Sequence, residues 1–372
     1  MNAARQGESL TVQSIAFFSE EDGDKLIDQL EGWGSDILAK LPGNPPIQPA
    51  QVEHLLVIIR RDNTATVYLN ELNARTLIQV KREFKKGEAV FGDDIADVHR
   101  MEFDGVTVQK DCGVIFIFSV GWRRALFFDF SPLSRKDPQD REYDLEAQLG
   151  QFYAYLMFQK RFKIAEQQWR NLFDGQWFPF ITLKEATIRK LVSHAGNGWP
   201  LDDLSDAIAQ EVKAVLPTML SRWKAAPIFG DHVPFLEKAA EHYSKNDFLS
   251  TAAILYPRIE GLLRTHQQRT DPSAASSQKG LSGSATKKAE SERHPSSPLL
   301  PAKFREYLEG VYFAAFNPND PRIKVSRNSV GHGVASAEEY SLKSATIGLL
   351  IVDQLCYCFS EPSQSTTVSS SE

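Results

Sequence analysis

Arg327-Asn328-Ser329-Val330-Gly331-His332-Gly333 stands directly before Ser336 to Phe359, the most apolar helical run of the chain. From Ala345 onward that run is apolar almost all round, the pattern of a helix in the middle of a bundle. Ser336 with Glu339 makes a Ser-x-x-Glu capping box and predicts the start of the helix. Upstream, Phe235, Leu236, Ala239, Ala240 and Tyr243 form a helical stripe. Phe248, Ala252, Leu255, Ile259 and Leu262 form a second, with Pro257 expected to kink it. Phe304, Leu308, Val311, Tyr312 and Ala315 form a third. Residues 231–360 therefore read as an all-α four-helix bundle, interrupted by a stretch poor in bulky side chains. That stretch, Gln267 to Pro298, is rich in Ser, Ala, Lys, Gly and Gln, and such composition predicts a disordered insert. The Ser-rich tail over 361–372 reads the same way.

Before residue 225 the period is different. His54 to Ile59 is a short apolar run and Thr64 to Leu69 alternates, with the turn signal Asp62-Asn63 between them. Further strands are predicted at Thr76 to Val80, Val98 to Phe103, Val106 to Gln109, Val114 to Val120 and Ala125 to Phe130. Strands so close in sequence are most simply joined as an antiparallel meander. Helices are expected over 26–41, 143–173, 182–194 and 201–223. Asn197-Gly198 and Pro200 separate the last two, and the boundary to the bundle falls near Lys224 to Gly230. The fold class is α+β: an antiparallel-sheet domain with helices over 1–225, with strands over 52–130, joined to the bundle. No internal repeat is present.

The chain has 372 residues, enough for two domains. Its formal charge of −6 excludes a globally basic nucleic-acid binder but leaves room for a local basic groove. Three cysteines, Cys112, Cys356 and Cys358, include no Cys-x-x-Cys pair, which points to a reducing compartment. The N-terminal residues lack the apolar stretch of a signal peptide. The run Ala345 to Val352 is shorter than the roughly 20 residues of a membrane span. A cytoplasmic protein with no membrane partner is the expectation.

Arg327, Asn328 and His332 carry the candidate chemistry. Arg offers a fixed fork of donors for phosphate oxygens, and His exchanges protons near neutrality. RNA carries its own nucleophile, the 2′-OH, so one proton-transfer group and one phosphate clamp suffice to cleave it without a metal or cofactor. Residues five apart on a regular helix diverge by about 140°. Arg327 and His332 therefore need a sharp turn at Gly331 to Gly333, or a two-fold partner, to meet. A second Arg-x4-His, Arg189 to His194, lacks the Asn, the following Gly and the capped helix, and reads as helix surface. A structural role competes at Arg327 as well: Arg327 paired with a carboxylate, His332 as a helix-end histidine between turn glycines.

Arg-Asn-x3-His-Gly before a final apolar helix resembles the HEPN superfamily, the all-α RNases of toxin–antitoxin, abortive-infection and CRISPR systems. Ala253 to Arg264 is similar to the second helix of Abi-type HEPN domains, where a Leu-x-x-x-Glu-x-x-Leu-Arg pattern packs against the motif helix; Glu260, Leu263 and Arg264 stand at its matching positions. The resemblance covers 232–359 apart from the insert. It implies a homodimer through the C-terminal bundle and metal-independent endoribonuclease activity in a prokaryotic defence or toxin system. Arg327 and His332 map onto the catalytic pair, Asn328 onto its polar neighbour, and Glu260 and Arg264 onto supporting positions. RNA is the implied partner, with an antitoxin or sensor partner besides, and the N-terminal domain would sense, bind or restrain. A catalytically inactive HEPN-like dimerisation or RNA-binding module, with the main function in the N-terminal domain, is the alternative.

Elsewhere, Lys81, Arg82, Lys85 and Lys86 surround Phe84, a basic patch that suits a phosphate backbone or a solvated strand end. Trp122, Arg123 and Arg124 mark a hairpin tip. The remaining histidines, His54, His99, His194, His232, His242, His266 and His294, show no metal-ligand spacing. No P-loop, dinucleotide-binding, serine-hydrolase or zinc-protease signature is present.

Overall fold

The structure is a computed structural model that describes residues 14–19, 39, 52–121, 123–292, 297–317, 319 and 324–360. The helices predicted over 26–41, Trp122, His294 and the tail from 361 lie outside the described residues, apart from Ala39. The chain forms two compact units. The first is Met1–Leu77 with Val98–Gln159, the second Ile78–Asp97 with Lys160–Glu372.

The strands are β1 (Ser14–Phe18), β2 (His54–Ile59), β3 (Ala65–Leu69), β4 (Ala74–Val80), β5 (Ile95–Phe103), β6 (Gly113–Val120) and β7 (Arg123–Asp129). Five make an antiparallel sheet in the order β1-β7-β6-β2-β3, and β4 pairs with β5 separately. The simple meander is thus corrected. The chain leaves the sheet after β3 and re-enters beside β2, where Leu56 faces Phe116. Val106 to Gln109 is not a strand, because the chain turns after β5 and the Val106 N–H bonds the Phe103 carbonyl.

The apolar runs of β2 and β6 do not alternate with polar residues because both faces of the sheet are covered. Leu56, Ile58, Val114, Phe116, Phe118 and Phe127 form one core with helix α1 (Leu145–Met157), through Leu145, Leu149 and Leu156. Leu55, Val57, Ile115, Ile117 and Leu126 form the other. Asp144 caps α1 by accepting from the Ala147 N–H.

At the end of β7 the fully buried Asp129 accepts from the Ser131 N–H and hydroxyl, from Arg141 Nε and from the Tyr143 hydroxyl. Burial pushes its carboxyl up, but these donors outweigh it and hold it below its ordinary 3.8. The folded value lies below the unfolded one, so the stabilisation is full above that range and is lost as pH falls through the folded value. Acid titration followed by near-ultraviolet circular dichroism is expected to show a loss of stability below roughly pH 4. Asp129→Asn, unable to titrate, flattens that part of the curve.

The second unit is helical: α2 (Glu166–Asp174), α3 (Glu185–Asn197), α4 (Ser205–Ala225), α5 (Val233–Ser244), α6 (Phe248–Thr270), α7 (Gln278–Glu292), α8 (Pro301–Tyr307), α9 (Arg327–Gly331) and α10 (Leu342–Phe359). A π-helical turn, Leu308–Tyr312, continues α8. Trp169, Trp177, Phe178, Leu216 and Trp223 share one core with α5, α6, α8 and α10. The division of the chain therefore falls after residue 159, not near 225. The helices of 160–225 bury their apolar stripes among those of the expected four-helix bundle, which is larger than four helices.

Two further expectations are corrected. Much of 267–298 is ordered: α6 runs to Thr270 and α7 follows. Its Leu281, Ala285 and Ala289 are buried, with Ser282 and Thr286 beside them. Small side chains let α7 lie close against α6, α8 and α10, so it needs few bulky residues. Ser336 begins only a short 3₁₀ turn, and Ser341 caps α10 by accepting from the Ser344 N–H. Helix α10 is apolar and long enough to cross a bilayer, yet Ser344 to Cys358 are all buried inside the unit. Of its buried polar residues, Ser344, Thr346, Asp353 and Gln354, the carboxylate and the amide are tied across the core. Asp353 accepts from Arg222, from Trp223 Nε1 and from the Thr182 hydroxyl. Gln354 accepts from the Ile181 N–H and donates to the Leu299 carbonyl.

Candidate functional site

Helix α9 has five residues, and side-chain and backbone bonds close both its ends. Ser326 accepts from the Ser329 N–H, and the Ser329 hydroxyl accepts from the Ser326 N–H. This reciprocal cap fixes the entry of the chain. At the other end the Gly333 N–H bonds the Val330 carbonyl and the Val334 N–H bonds the Ser329 carbonyl. That pattern requires a left-handed residue after the last helical one, and Gly333 supplies it at φ +66°. Gly333→Ala is expected to cost about 1 kcal/mol and Gly333→Asn less, because Asn tolerates this region. Denaturant midpoints of the two variants check it.

Arg327 leaves α9 toward α6. Its Nε bonds Glu260 Oε2, and Arg264 Nε and Nη2 bond the other carboxylate oxygen at 2.9 and 2.6 Å. Glu260 is 9% exposed, while Arg327 and Arg264 keep 31% and 44%. One buried carboxylate thus holds two accessible guanidiniums, and the cluster keeps a net positive charge. Among the described residues nothing accepts from the terminal nitrogens of Arg327. Its Nη1 lies where a Cβ on Gly331 would come within 3.0 Å, so glycine there leaves the guanidinium its place.

Asn328 points elsewhere. Its Nδ2 donates to the Phe313 carbonyl at 2.8 Å, and its Oδ1 accepts from Gln278 Nε2 at 2.7 Å. Both ends of the amide are occupied, so Asn328 ties α9 to the π-helical turn and to α7. Gln278 lies in the segment expected to be disordered, and no motif marked it. His332 is exposed, with its ring centroid 5.5 Å from that of Phe316. It is the last residue of helical geometry, at φ −95° and ψ −3°. The turn comes after it, at Gly333. The turn therefore does not swing His332 toward Arg327, and the two side chains face different neighbours.

The other candidates are placed as follows. Arg189 is exposed on α3, and His194 Nδ1 lies 3.1 Å from the Pro200 carbonyl. Arg82 stacks on Phe84 at 3.9 Å and pairs with Glu88 and Asp94, which neutralises much of that basic patch. Lys81 is half-buried, and burial, then the Arg161 guanidinium, pushes its ammonium down to about 7 against the pull of Glu185, Asp93 and Glu211. Arg123 donates to the Leu156 and Met157 carbonyls. Cys112, Cys356 and Cys358 are buried and form no disulfide among the described residues. Among the described residues no three His, Cys, Asp or Glu side chains converge as metal ligands. No protein-family model, curated protein or solved structure matches the chain.

Proposed function

We propose that the chain is an endoribonuclease that cleaves RNA by attack of its 2′-OH, acting in the cytoplasm as the effector of a prokaryotic defence or toxin system. The observation that supports this reading is that one short, doubly capped helix carries a guanidinium held by a buried carboxylate, Arg327, at its start and is closed by an exposed imidazole, His332, at its end. His332 takes the 2′-OH proton, and the 2′-oxygen attacks the neighbouring phosphorus. The 5′-oxygen leaves and is protonated, giving a 2′,3′-cyclic phosphate and a 5′-OH. Arg327, with Arg264 behind the same carboxylate, stabilises the charge that builds on the phosphorane. Because Arg327 and His332 of one chain face different neighbours, a homodimer through the helical unit, with the motifs of two copies in one cleft, is part of the proposal. The first unit then senses, restrains or binds an antitoxin.

RNA binding without cleavage is the second reading. It is favoured by the ion pair that already engages Arg327 and by the occupied amide of Asn328.

An oligoribonucleotide incubated in excess EDTA tests the chemistry. The expected products end in a 2′,3′-cyclic phosphate, and 2′-deoxy substitution at the cleaved residue blocks the reaction. Equal cleavage of the deoxy-substituted strand contradicts the mechanism. Binding with no cleavage leaves the second reading.

A further inference from the structure

A cavity of about 260 Å³ opens beside the proposed site, walled by Phe173 and Phe316 and floored by the π-helical turn. Phe316 is the residue against which His332 rests. Ligand pockets for drug-sized molecules hold roughly 300–1,000 Å³, so this one suits a single flat heteroaromatic ring system. Its frame is fixed. Gln176, in the left-handed region at φ +60°, accepts from the Tyr307 hydroxyl through its carbonyl and donates from Nε2 to the Val325 carbonyl. Lys324 Nζ donates to the Asp174 carbonyl at 2.7 Å.

Unused polar groups remain around the cavity. Among the described residues the Asp174 carboxylate, Gln176 Oε1 and Asn317 Nδ2 have no hydrogen-bond partner. The surround therefore offers a carboxylate and an amide oxygen as acceptors, with an amide nitrogen and an ammonium as donors. Guanine matches this set. Its N1–H and N2–H₂ present two adjacent donors to a carboxylate, and its O6 and N7 accept from Lys and amide donors. Adenine and cytosine place an acceptor beside their single donor group, and uracil flanks its one donor with two acceptors, so each meets the carboxylate with repulsion. The aromatic wall supplies a stacking face for the base.

We infer that this cavity is a guanine-binding subsite, which seats the base of the nucleotide whose 2′-OH attacks. The inference rests on the ribonuclease reading for its place in a reaction, though not for binding itself. It makes the enzyme cut on the 3′ side of guanosine. Asp174 and Phe316 become specificity-determining residues. Gly310, which lines the cavity with open space where a Cβ would stand, is the place to block it.

The test uses oligouridylates carrying one central G, A or C, cleaved by wild type, Asp174→Asn and Gly310→Leu. Wild type is expected to cut after G on the order of tenfold faster than after the other bases. Both variants lose that preference while retaining slow cleavage within oligouridylate. No preference in wild type, or the same preference in both variants, overturns the inference. If wild type cleaves nothing, binding of guanosine 3′-monophosphate against adenosine 3′-monophosphate, followed by ligand-observed NMR, decides separately. Guanosine-selective binding lost in Asp174→Asn and Gly310→Leu sustains the subsite while the ribonuclease reading falls. Absence of selective binding overturns the subsite too.

Discussion

Asp353→Ala is expected to destabilise the helical unit by about 3–5 kcal/mol, the cost of breaking a buried charge pair by removing one partner. Asp353 has no exposed side-chain surface, and Arg222 reaches it with two bonds of 2.9 Å. Truncation strands the Arg222 guanidinium, and it also leaves the Trp223 indole N–H and the Thr182 hydroxyl without their acceptor. The remaining bond of Arg222 to the Lys81 carbonyl does not neutralise its charge. Thermal unfolding should show an early transition of the helical unit. Asp353→Ala with Arg222→Met recovers much of the loss, because the stranded charge is gone. Equal loss in single and double variants contradicts this account of α10.

His332→Ala is expected to lower the rate of RNA cleavage by about 10²–10⁴-fold, the range for removal of a general acid or base. Stability should hardly change, because His332 is exposed and its cap bonds come from the backbone. The same reasoning separates it from Glu260→Ala, which releases two guanidiniums at once and lowers both activity and stability. A variant that loses cleavage only through misfolding would shift the melting curve, and His332→Ala should not.

How much of this was legible in the sequence depends on what carried each element. Strand β2 coincides with the apolar run His54 to Ile59, which the turn signal Asp62-Asn63 follows. Strand β1, Ser14–Phe18, leaves no such mark: it is short and pairs with β7, more than a hundred residues away, and no local signal encodes that partner. The composition of α7 lacks bulk and predicts disorder, while its packing depends on small side chains that permit close approach. The cap at Ser336 was plausible by spacing, but Tyr340, at ψ 63°, breaks the helix and Ser341 restarts it.

The site was legible to the extent that its geometry is local. Arg327 and Glu260 were named from separate helices, and the structure brings them into one ion pair with Arg264. The helical angle between Arg327 and His332 was also readable, and the chain does not bend to close it. Gln278, Phe316 and Asp174 were not legible. They come from α7, from the irregular segment that follows the π-helical turn and from the end of α2.

Single-turnover cleavage of one RNA in EDTA by wild type and by His332→Ala, both of matched melting temperature, decides whether His332 moves the proton in RNA cleavage. Cleavage by the wild type to a 2′,3′-cyclic phosphate, reduced at least about a hundredfold in the variant, is the predicted result. Equal cleavage by the two proteins, or none by either, contradicts it.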